Sequence, residues 1–95
     1  MVQVDLVEAG GKKLIGLKVQ LPHAPLLLLI HEDVLIGCGY FDIAVLEKTG
    51  DKACKVSGVE NFEQVLKAKI RDYTSEVGKL GAKKGLIVEK FIEGL

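Results

Sequence analysis

A single thiol stands between two glycines at Gly37-Cys38-Gly39, followed at once by Tyr40, Phe41 and Asp42. Cysteine reacts as the thiolate, and a place at the start of a helix is one setting that lowers its pKa. A nucleophile of this kind also needs a base. His31 ends the segment just before it, with Asp33 or Asp42 as a carboxylate to orient the ring, so Cys38 and His31 form a candidate catalytic pair. The plainer reading is that free cysteine is commonly buried and fills space like a small apolar group. The residues leave both readings open.

The same glycines point to a second kind of chemistry. Where a strand runs into a helix, backbone N–H groups lack intrahelical partners and attract anions. Gly37, Cys38, Gly39 and Tyr40 form one such junction, and Ser57 with Gly58 forms another. These six residues are candidate ligands for a small polar or anionic molecule, against the alternative that the glycines only permit tight turns. Of the adjacent aromatics, Tyr40 is expected to face the cleft and Phe41 the interior, because a tyrosine hydroxyl seeks a polar partner. His23, His31 and Cys38 follow no metal-ligand spacing, so neither a metal nor a cofactor is expected. Cys54 falls on the inward face of a strand and reads as core.

The elements that must position these residues follow from periodicity. Val2, Val4 and Leu6 alternate with polar residues, Gly10-Gly11 breaks the pattern, and Ile15, Leu17, Val19 and Leu21 alternate again, which predicts a β-hairpin. Pro22 and Pro25 end the second strand. Leu26 to Ile30 is apolar at every position and predicts a central strand hidden on both faces. Such cover is hard to supply within so small a domain, so part of it is expected from another copy of the chain.

Glu32-Asp33 then turns into a fourth strand at Val34 to Gly37, and Phe41, Ala44, Val45 and Lys48 predict a short helix ending at Gly50. Asp42 lies in its first turn, where its charge suits the dipole. Alternation over Ala53 to Val59 predicts a fifth strand, parallel to the fourth across a βαβ crossover. Asn61 is a good N-cap for an apolar stripe from Phe62 to Leu80, which pattern alone allows as one helix, although Thr74-Ser75 and Gly78 favour two. A last helix takes in Ile87, Val88, Phe91, Ile92 and Leu95.

Composition sets the outer limits. Ninety-five residues make one domain over 1–95, and 48% hydrophobic with 5% aromatic residues means a core of Leu, Ile and Val. Thirteen basic residues balance thirteen acidic ones, so no global field draws the chain to nucleic acid or to an anionic membrane, and neither is an expected partner. The apolar run at Leu26 to Ile30 is far shorter than the ~20 residues needed to cross a bilayer. With no signal-peptide pattern and two unpaired cysteines, a reducing, cytoplasmic setting is expected.

Leu21-Pro22, Ala24-Pro25-Leu26, Gly37-Cys38-Gly39-Tyr40-Phe41-Asp42, Ser57-Gly58-Val59, Phe62-Glu63, Leu66 and the tail from Leu80-Gly81 to Gly85 occur in an order that resembles the YunC-like family of small bacterial and archaeal proteins. The resemblance runs over nearly the whole chain. That family is a domain of unknown function, so the resemblance implies a two-layer α/β fold and a break in the 61–80 stretch near residues 68–74. It implies no activity, substrate or catalytic residue.

The expectation is therefore an α+β, two-layer sandwich: a mainly antiparallel sheet of about five strands, a βαβ crossover and C-terminal helices. Its expected role is a homo-oligomeric binding or accessory module with a cleft at the two glycine junctions. The alternatives are a thiol-dependent enzyme built on Cys38 and a purely structural interaction protein.

Overall fold

The structure, a computed structural model, describes residues 1–95. The first four strands, β1 (Val2–Ala9), β2 (Lys12–Gln20), β3 (Pro25–His31) and β4 (Val34–Gly37), are joined by tight turns. A crossover helix, α1 (Ile43–Thr49), leads to β5 (Lys52–Lys55), and α2 (Phe62–Lys67), β6 (Asp72–Tyr73), α3 (Ser75–Gly78) and α4 (Val88–Glu93) complete the chain. The six strands form one sheet in sequential order. Neighbours are antiparallel except β4 and β5, which are parallel as the βαβ spacing predicts.

One feature of the expected architecture needs correction. The sheet is mixed and has six strands, where a mainly antiparallel sheet of five was expected. The extra strand, β6, lies inside the apolar stripe that reads as helix. Its backbone is drawn to the sheet instead, with Arg71 donating to the Lys55 carbonyl at 2.8 Å and Thr74 donating to the Ala53 carbonyl at 2.9 Å. Residues 68–74 thus separate α2 from α3.

Register shows which residues share a face. Gly16 pairs with Leu29, and Leu29 with Ile36, so these three share a face. A Cβ on Gly16 would meet the ring of Phe62 at 2.8 Å, which places α2 over that face. Gly37, one residue on from Ile36, points the other way, and a Cβ there would meet the Phe41 ring at 2.3 Å. Helix α2 therefore lies against one face of the sheet and Phe41, in the loop before α1, against the other; the fold is α+β with a mixed sheet and four helices.

The main core lies on the Gly16 side, where Leu14, Leu27, Leu29, Ile36, Cys54 and Val56 of the sheet pack with Val65, Ile70, Val77, Val88, Phe91 and Ile92. The opposite side is covered unevenly. Register places Val2, Val4 and Leu6 beside Val19, Leu17 and Ile15, and those beside Leu26, Leu28 and Ile30, in one array of nine aliphatic side chains. Val2, Val4 and Leu6 are 63–68% exposed and Ile15 is 51% exposed. The outer edge of β1 pairs with no strand over its eight residues, whereas the opposite edge strand, β6, is two residues long. No helix is long and apolar enough to cross a membrane.

Candidate functional site

The parallel pair β4–β5 delivers both glycine junctions to the same end of the sheet. Beyond Gly37, the chain makes one more bond to β3 before it leaves the sheet: the Cys38 amide donates to the Leu27 carbonyl at 3.1 Å. Beyond Lys55, the Val56 amide donates to the Gly37 carbonyl at 2.9 Å, which keeps the two exits side by side. Gly39 and Ser57 are neighbours as a result, since a Cβ on Gly39 would lie 3.9 Å from that of Ser57.

A cleft of about 340 Å³ opens here, lined by Ala24, Pro25, Cys38, Gly39, Tyr40, Gly58, Val59 and Glu60. Its walls are the start of β3, the β4–α1 loop and the β5–α2 loop. The structure thus brings Cys38, Gly39, Tyr40 and Gly58 together. Gly37 is not in the lining, being buried beneath Phe41. Ser57 faces an adjoining cavity with Gly39, Lys55, Arg71 and Asp72.

Tyr40 is exposed and Phe41 half-buried, as their chemistry predicts, and the Tyr40 hydroxyl makes a long bond of 3.5 Å to the Ala24 carbonyl. Gly58 has a φ of 71°, a left-handed conformation that favours glycine and turns the chain from β5 toward α2.

The helix ends themselves are occupied. Asp42 is the N-cap of α1, not a first-turn residue, and its carboxylate accepts from the amides of Ala44 and Val45 at 2.9 and 3.4 Å. Asn61 caps α2 by accepting from the Gln64 amide at 2.8 Å, while Gln64 accepts from the Glu60 amide at 2.8 Å. What the cleft and the cavity beside it offer instead is loop backbone: the amides of Gly39, Tyr40, Ser57, Gly58 and Val59 donate to no acceptor within the chain.

Cys38 and His31 are not brought together. His31 pairs with Val34 at the turn end of the β3–β4 hairpin, while Cys38 lies beyond Gly37 at the open end. That separates them by roughly 13 Å along the strand. His31 Nδ1 instead donates to the Lys13 carbonyl at 3.2 Å. Cys38 is only 3% exposed, and its Sγ accepts from the Leu27 amide at 3.3 Å. Cys54 sits deeper in the core, and burial pushes its thiol up to about 12. No three metal-ligating side chains converge anywhere in the chain.

Residues 37–95, which include both junctions, match the family described as Domain of unknown function (DUF1805). The chain belongs to the DUF1805 family. A crystal structure of a protein of unknown function from Thermoplasma acidophilum is 34% identical, with a TM-score of 0.92 over 100% of this chain and 93% of that one. No curated protein matches. The expectation of a small uncharacterised domain family is met, and the DUF1805 match begins at Gly37, the first residue of the glycine-thiol run.

Pattern reading missed Ala24, Pro25, Val59 and Glu60 of the cleft, and Lys55, Arg71 and Asp72 beside it. Pro22 to Ala24 carried a signal, since the link between two adjacent strands lies at a sheet end, but it read only as a strand terminator.

Proposed function

We propose that this DUF1805 protein is a homo-oligomeric binding module that takes a small polar or anionic molecule into the cleft between the two glycine junctions. The observation that carries the reading is the convergence of Cys38, Gly39 and Tyr40 with Gly58 on one concavity, where the four loop amides of Gly39, Tyr40, Gly58 and Val59 lack internal acceptors. A mostly apolar lining with a few polar groups suits a small organic ligand. The thiol-enzyme reading has less support, because the thiol is hydrogen-bonded, almost fully buried and distant from His31.

A screen of small organic acids and alcohols by amide chemical-shift perturbation tests this. Shifts concentrated at Ala24, Gly39, Tyr40, Gly58 and Glu60 are expected. A library that moves only surface amides elsewhere would reject the cleft.

Self-association is supported by a different observation, the nine aliphatic side chains on the β1–β2–β3 face. Large contiguous apolar patches mark interaction sites, and four of the nine side chains here are more than half exposed. A second copy is the fitting occupant, because the array carries no charge that would select a different protein and β1 adds an open edge. Sedimentation should give a multiple of 10.3 kDa, and Val4→Glu with Leu6→Glu should give a folded monomer. A monomeric wild type would refute the assembly.

A further inference from the structure

Beside the cleft lies a second cavity of about 390 Å³, lined by Gly39, Lys55, Ser57, Arg71 and Asp72. Gly39 is the one wall common to both, so the waist between them lies at Gly39, beside Ser57. The two cavities differ in chemistry. The first is mostly apolar and carries Glu60, whereas the second has no hydrophobic lining residue and holds two cations and a hydroxyl.

Those cations are uncommitted. The four ion pairs of the chain are Lys52–Asp33, Lys67–Glu63, Lys79–Glu76 and Lys90–Glu93, and none involves Lys55 or Arg71. Lys55 even stands opposite Asp72 in the β5–β6 ladder without bonding its carboxylate. Asp72 instead accepts from the Tyr73 amide at 2.9 Å. The backbone bond from Arg71 to Lys55 holds the two basic residues at adjacent positions, and both line the second cavity.

We propose that the ligand of this site has an apolar body and an oxyanion head, carboxylate or phosphate, with the body in the first cleft and the head between Lys55 and Arg71. The inference rests on the cleft being a binding site and adds the class and polarity of what it binds. Ser57 supplies a hydroxyl donor beside the head, and the free amides of Gly39 and Ser57 line the waist the molecule crosses. Glu60 fixes the direction, since it lines the first cleft and not the second and so repels an anion from the first. Asp72 weakens the attraction, yet two cations against one carboxylate leave the pocket positive.

The test compares four probes by amide chemical-shift titration: benzyl alcohol, benzoate, phenyl phosphate and inorganic phosphate. Benzoate or phenyl phosphate should bind about tenfold or more tightly than benzyl alcohol, the gain expected of a charge-assisted contact. The better of the two identifies the head as carboxylate or phosphate. Lys55→Gln with Arg71→Gln should abolish that gain and leave benzyl alcohol unchanged. Both side chains are at least partly exposed, and the backbone bond between them does not depend on them, so the variant is expected to fold.

Oxyanion probes that bind no tighter than the alcohol, or a gain that survives the double variant, would overturn the head-group assignment while leaving the cleft intact. Inorganic phosphate binding as tightly as phenyl phosphate would overturn the bridging of the two cavities. If no probe shifts a cleft amide, the binding reading itself falls.

Discussion

Leu27 and Cys38 exchange two hydrogen bonds beneath the cleft: the Cys38 amide donates to the Leu27 carbonyl at 3.1 Å, and the Leu27 amide donates to the Cys38 Sγ at 3.3 Å. The thiol thereby completes the backbone pairing of β3 past the end of β4. A sulfur used in this way serves the fold first.

Alkylation should separate the two cysteines. At pH 7 the folded protein should react far more slowly than the unfolded chain, with Cys38 modified before Cys54, whose thiol burial holds near 12. Peptide mapping after timed iodoacetamide treatment gives the order. Cys38 reacting faster than an unfolded cysteine would restore the nucleophile reading. Cys38→Ala should cost about 1–3 kcal/mol by leaving the Leu27 amide without an acceptor.

Gly37→Ala tests the packing behind the cleft. The added Cβ would lie 2.3 Å from the Phe41 ring, so the ring must move off β4. A loss of about 1–3 kcal/mol in urea unfolding is expected. Gly39→Ala is the control, since its nearest contact would be an ordinary 3.9 Å and stability should hold. Equal losses at both positions would mean that Phe41 does not cover Gly37.

Thr74 is the one buried polar residue, and its Oγ1 accepts from the Ala53 amide at 3.1 Å. Thr74→Val keeps the shape and removes the acceptor, so it should destabilise by about 1–3 kcal/mol. Thr74→Ser should retain most of the stability. Hydrogen exchange at Ala53 should quicken in the valine variant, and unchanged protection there would show that the bond contributes little.

Acid dependence should come from surface pairs. The Lys52 ammonium hydrogen-bonded to Asp33 holds that carboxyl below its usual range, and Lys67 and Lys79 do the same for Glu63 and Glu76. A carboxylate with a depressed folded pKa stabilises the native state above its unfolded pKa, and the contribution is lost as pH falls through the folded value. Stability should therefore stay level from neutrality to about pH 5 and decline below about pH 4. The three lysines, raised by the same contacts, lose their contribution only above about pH 10. Because the pairs are exposed, the acid decline should shrink in 1 M salt. An acid decline unaffected by salt would assign it to other groups.

How far the fold was legible depended on how local its causes were. The first hairpin and the βαβ unit were readable because alternation and glycine punctuation act within a few residues, as at Gly10-Gly11 and Gly50. β6 was not, because Asp72 and Tyr73 sit in an apolar stripe shared by Val65, Ile70 and Val77, all of which reach the same core. Only pairing with Lys55 and Cys54, distant in sequence, makes them a strand. Within the site, Cys38, Gly39, Tyr40 and Gly58 announced themselves by type and spacing. Lys55 looked like any outward residue of an alternating strand, and its neighbour Arg71 was set beside it by that same late pairing. Asp42 shows a finer limit: its place at the helix start was readable, but not that its own carboxylate would take the amides.

The unequal edges of the sheet bear on how copies can add together. A long open strand on one side and a two-residue strand on the other cannot pass strand pairing from molecule to molecule in a repeating chain, because the second edge offers too little to continue it. Growth by β1 can only join like to like, and a like-to-like junction uses up the edge that made it. The sheet therefore carries its own stop signal, and an assembly begun at β1 closes on itself without extending into a fibre.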